Sequence, residues 1–176
     1  HMPYKGLIMA ILISPMIVPL IITAAGMFFF YARINLVYSF TGIILAHVAL
    51  ATPFVVITVT ATLVGFDMNM VKASQSLGAR PVRTFFKVIM PLILPGVISG
   101  ALFAFITSFD EVVIVMFMAS LDQLTIPKQM WAGIRQEISP VILCMATCLV
   151  ILSILLLTTV ELLRRRSEKL RGIKSR

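Results

Sequence analysis

Two consecutive carboxylates, Asp110 and Glu111, interrupt an apolar run that reads SFDEVVIVMF. Anions at lipid depth are costly unless they face water or a cation. A pair facing a cavity would attract a cationic solute, such as a polyamine or a metal ion. The same pair could instead end a helix at the outer interface or bond a cation on a span outside this chain, and both readings stand here. His47 lies in another apolar run, either as a functional group at lipid depth or as a neutral ring bonded to a neighbouring helix. Cys144 and Cys148 are one turn apart, a spacing that rarely permits a disulfide, and no His or acidic group nearby completes a metal set. They read as small, soft packing residues. No GxxxxGK[ST], GxSxG, HExxH or CxxC pattern occurs, and the histidines are His1 and His47 alone. So few acid–base or nucleophilic groups make catalysis improbable, and no cofactor is expected.

The elements that must position these groups are hydrophobic. Of 176 residues, 60% are hydrophobic and 12% charged, and the mean hydropathy is +1.05. That composition describes an integral membrane protein. Crossing a hydrocarbon core about 30 Å thick takes roughly 20 helical residues. Four blocks qualify, at about 7–31, 39–64, 92–118 and 140–163. The alternation of a β-barrel is missing, so the expected fold is all-α, with about four transmembrane helices in one domain over 1–176.

The first block is too long for a signal-peptide core and reads as a retained span. Pro15 and Pro19 predict a kink near its middle, either lining a pathway or as simple packing irregularity. Phe28 to Tyr31 form an aromatic end at the outer interface. In the third block Gly96, Gly100, Ala104 and Ser108 recur every four residues. Such a row lets a second helix approach closely, so it predicts packing against another span or a second subunit rather than a pore lining. Counting about 1.5 Å per residue from Pro91 places Asp110 in the outer half of the bilayer.

The formal charge of +8 could suggest nucleic acid, but its placement argues otherwise. If segment 65–91 and both termini face the cytoplasm, twelve of the fifteen Lys and Arg lie there, leaving Arg33, Lys128 and Arg135 outside. This asymmetry predicts the orientation. The basic tail 164–176, RRRSEKLRGIKSR, is expected to anchor the last span to anionic headgroups, with no nucleic-acid partner.

Between the second and third blocks, 65–91 reads GFDMNMVKASQSLGARPVRTFFKVIMP. Asp67 can cap a helix over 68–77, and Gly78 can close it in the left-handed conformation. Met70, Ser74 and Leu77 then share one face, with Asn69, Lys72 and Gln75 elsewhere. Pro81 opens a second helical piece carrying Arg83 and Lys87 one turn apart. A compact basic helix–Gly–helix between spans suits docking into a groove of a soluble partner, with an ordinary solvated loop helix as the alternative.

This stretch resembles the cytoplasmic coupling loop of ABC-importer permeases, whose motif is Glu-Ala-Ala, three residues, Gly, nine residues, Ile-x-Leu-Pro. The matching positions are Lys72, Ala73, Ser74, Gly78, Val88, Met90 and Pro91, with Lys72 for Glu and Ser74 for Ala as the departures. The segment ATPFVVITVTATLVGFD and the small–apolar–acidic–acidic pattern at Asp110 and Glu111 are similar to permeases of the spermidine/putrescine type. The resemblance covers nearly the whole chain, as the C-terminal two-thirds of such a subunit. It implies a bacterial inner-membrane, multi-pass permease with both termini cytoplasmic. A cytoplasmic ABC ATPase dimer, a second permease subunit and a solute-binding protein would be its partners. ATP hydrolysis would belong to the ATPase chain. The outer loop 118–140, in which Ile126 to Glu137 could form a short interfacial helix anchored by Trp131, would help to receive the binding protein. Lys128, Arg135 and Glu137 would either contribute to that contact or stand as ordinary solvated charges. Alternatives are a permease for iron(III), thiamine, phosphonate or opine, a secondary transporter or channel, and an inactive truncated permease.

Overall fold

The computed structural model describes residues 4–136 and 140–170, and every regular element among them is helical. In chain order these are α1 Lys5–Ile17, α2 Leu20–Arg33, α3 Phe40–Val64, α4 Met68–Ser76 and α5 Pro81–Thr84. A π-turn, Phe85–Ile89, leads into α6 Met90–Phe109, followed by α7 Val113–Met118, α8 Ile126–Gln136 and α9 Pro140–Leu170. Among the described residues, three helices are long and apolar enough to cross a membrane: Phe40–Val64, Pro81–Phe109 and Pro140–Thr159. A fourth crossing is reached if α1 and α2 count as one bent span. The fold is therefore an all-α, multi-pass membrane fold.

Where a kink is expected in the first block, the chain turns by 110° between α1 and α2. Val18 adopts φ −75°, ψ 135°, the extended state imposed on a residue before proline, and Pro19 begins the next helix. Pro15 stays inside α1. The third block differs in extent from the expected 92–118. Helix runs from Pro81 rather than from about 92, and it stops at Phe109. Met90 N–H bonds the carbonyl of Phe85, five residues back, and this widened turn relieves the clash that the Pro91 ring would make with a tight preceding turn.

α3 and α6 form the central pair. A side chain at Gly96 would run into Thr62, and a Cβ at Gly100 would lie 2.6 Å from Thr58 Oγ1 and 3.0 Å from Val55 Cα. Backbone thus meets backbone across this seam. The small-residue row packs on a span of the same chain. A second packed centre forms where α2, α3 and α7 meet, around Ala24, Tyr31, Ala46, Leu50, Ile114 and Met118. Ile114, Val115 and Met118 of the short α7 are fully buried. By contrast, nothing in the apolar window of α9 is buried within the chain. Cys144 and Cys148 lie on α9 as exposed thiols. The outer-loop residue Glu137 and the tail beyond 170 fall outside the described residues.

Candidate functional site

Two polar interruptions of the apolar framework hold the residues singled out above. The first is the elbow of α4 and α5. Asp67 caps α4 by accepting from the N–H of Asn69 at 2.9 Å. At the other end Leu77 is the cap, and Gly78 follows at φ +78°. Gly78 N–H reaches the carbonyl of Gln75 at 2.9 Å, and Ala79 N–H that of Ser74 at 3.1 Å. These two bonds are the Schellman pair that closes a helix through a left-handed residue. A side chain at Gly78 would meet no atom, so its constraint is conformational.

The positions singled out in this loop then separate. Lys72, Ala73 and Gly78 are exposed, and Leu77 is 88% exposed. Met68 and Met70 are also open. Ser74, which the helical wheel groups with Met70 and Leu77, turns inward and shares a 3.0 Å hydrogen bond with Thr84 Oγ1. Thr84 is buried at the start of the long α5–α6 helix. This brace ties α4 to a membrane-crossing helix. Sequence reasoning missed Thr84, because no local pattern marks a hydroxyl ten residues ahead as the partner of Ser74. Pro91 lies half-buried in the first turn of α6.

The second interruption is the break between α6 and α7. Asp110 caps the end of α6 and is exposed, whereas Glu111 is buried. Glu111 Oε1 accepts from the N–H of Ile114 at 2.7 Å, so it caps α7. The two carboxylates therefore do not share one cavity. Asp110 lines a cleft of about 420 Å³ between the end of α6, α8 and α9, walled by Phe109, Trp131, Ile134 and Val150. Glu111 lines a neighbouring cleft of about 300 Å³ with Phe105, Ser108 and Thr125. Phe109, Pro127 and Leu149 belong to both.

His47 on α3 faces Ser108, the last residue of the small row, with Nδ1 and Oγ 2.7 Å apart. Its Nε2 is buried with no partner among the described residues. Ala104 is half-buried in the α6 row between Gly100 and Ser108. No group of three metal-ligating side chains occurs among the described residues.

The sequence matches, over residues 3–169, the family described as binding-protein-dependent transport system inner membrane component. The chain belongs to that family. Among curated relatives, it is 30% identical over 164 residues to the spermidine/putrescine transport system permease protein PotC of Haemophilus influenzae, covering 93% of this chain and 62% of that protein. It is 29% identical over 140 residues to the putrescine transport system permease protein PotI of Escherichia coli K12, covering 76% and 50%. The chain thus spans less than two-thirds of the length of these relatives. Its fold is like that of a chain solved in inward-facing conformations of the MetNI methionine ABC transporter, with a TM-score of 0.71 at 20% identity. That likeness covers 92% of this chain and 73% of the other. As a member of this family, the chain is a membrane component of a transport system rather than an enzyme.

Proposed function

We propose that this chain is the permease part of an ATP-driven importer of polyamines of the spermidine and putrescine kind. The observation that carries the reading is α4, a helix closed at both ends by local bonds, braced to α5 through Ser74 and Thr84, and carrying Leu77, Met70 and Met68 in the open. A helix so presented suits the groove of a second protein. A cytoplasmic ATPase dimer would hold α4 there and move it on binding ATP. Because α4 is tied to the helix that continues into α6, its motion would pass to the α3–α6 pair and shift the balance between two access states. A second permease subunit would complete the path, a solute-binding protein would deliver the solute, and segment 65–91 with both termini would lie in the cytoplasm.

Polyamine as the solute is supported by the relatives' names and by Asp110 at an aromatic-walled cleft, where a carboxylate and ring faces suit an alkylammonium group. The test is uptake of labelled spermidine by the complete transporter carrying Asp110→Asn. Losing the charge on the path lowers uptake by roughly tenfold or more at equal membrane level. Wild-type uptake by that variant would remove Asp110 from the path.

A further inference from the structure

Hydroxyls on apolar helices ordinarily turn back to the carbonyl one turn earlier. In this chain Thr52, Thr58, Thr62, Thr147, Ser153 and Thr159 all do so, bonding the carbonyl four residues before them at 2.7–3.0 Å. Ser108 does not take that bond. Its hydroxyl lies 2.7 Å from His47 Nδ1 on the neighbouring helix, while Ser108 also lines the cleft that holds Glu111. A hydroxyl oxygen has two lone pairs and one proton. Whichever group donates across the His47 contact, Oγ is held toward α3 and keeps at least one lone pair free. The ring is held there at some expense, since its Nε2 is buried with no partner among the described residues.

We infer that His47 is a positioning residue: by holding the Ser108 hydroxyl off its own helix, it keeps that oxygen as an acceptor in the Glu111 cleft for a cationic end of the solute. The inference rests on the polyamine-path reading given above. An ammonium group entering the cleft would meet the Glu111 carboxylate, the Ser108 oxygen and the ring faces of Phe105 and Phe109. Without His47, Ser108 would turn back to donate to the carbonyl of Ala104, and its oxygen would leave the position at which the His47 contact holds it beside the cleft.

The test measures spermidine uptake by the complete transporter, with each variant matched for membrane level. His47→Leu and Ser108→Ala should each lower the maximal rate by roughly tenfold, the scale of one hydrogen bond. The double variant should be no slower than either alone, since both remove one interaction. The half-saturating concentration, set by the binding protein, should not move. His47→Asn places an amide where Nδ1 lies and should stay within about threefold of wild type, while His47→Gln, with its amide at the Nε2 position, should fall with His47→Leu. That Asn–Gln contrast decides the matter if His47→Leu does not insert. A double variant about a hundredfold slower, a His47→Leu protein at the wild-type rate, or equal rates for the Asn and Gln variants would each overturn the role. A wild-type transporter that moves no spermidine would instead defeat the polyamine reading, and this inference with it.

Discussion

The two polar interruptions differ in what holds them. The α6–α7 break is held by the rest of the chain: Glu111 is buried, Ile114 and Met118 are fully enclosed by α2 and α3, and Tyr38 N–H bonds the Met118 carbonyl at 2.9 Å. The α4 elbow is held by its own local bonds and one brace, and it has no buried residue in α4 at all. A segment fixed by tertiary packing is committed to this molecule. A segment fixed by caps keeps its shape while leaving its side chains free for another. The contrast places α7 in the framework and leaves the α4 side chains open, as the proposed docking of α4 requires.

Substitutions should separate the two regions by where their effects are felt. Ile114→Ala should be the most damaging to the whole fold. It empties a fully buried site, and such truncations cost about 2–5 kcal/mol, here toward the lower end because lipid removes the transfer part of that cost. Thermal unfolding of purified protein in detergent should show the drop, and an unchanged midpoint would mean α7 is not part of the framework. Gly78→Val forces a β-branched residue to φ +78°, costing about 1–2 kcal/mol. Its damage should stay local, read as loss of solute-stimulated ATP hydrolysis in the assembled transporter with normal insertion. Full stimulation would contradict the elbow geometry.

Asp67→Ala removes the α4 cap for about 1 kcal/mol. Faster amide exchange should be confined to α4. Leu77→Ser should change stability by less than about 0.5 kcal/mol, because that residue is already 88% exposed. Weaker recovery of the ATPase with the complex should be its main effect. A Leu77→Ser protein that melts early would mean the side chain is packed on its own chain.

These same regions differ in how legible they are. The α4 helix could be read from Asp67, Gly78 and Pro81, because capping bonds are made within a few residues and leave a local signature. It ends at Ser76, one residue short of the expected 68–77. The α6–α7 break could not be located from hydropathy, since SFDEVVIVMF reads as one apolar run with a polar dent. What stops α6 at Phe109 is Glu111 capping α7 and α7 being enclosed by helices distant in sequence, and neither leaves a local mark. For the same reason the pair at Asp110 and Glu111 reads as one site, although the break between α6 and α7 sends the two into neighbouring clefts. Pro19 marks the position of the α1–α2 bend, but its 110° depends on α1 lying against α3 and α2 against α7. The row from Gly96 to Ser108 announces close packing without naming α3 as the partner, or His47 as the group that meets its last member.

The claim on which the account turns is that α4 is gripped from the cytoplasm by a separate ATPase. Its most direct test is site-directed cross-linking of Leu77→Cys in a chain whose Cys144 and Cys148 are replaced by Ser. A Leu77→Cys adduct with the ATPase is expected, changing in yield when ATP is bound, together with protection from an impermeant thiol reagent in intact cells. Labelling of that cysteine from outside the cell, with no adduct to the ATPase, would contradict it.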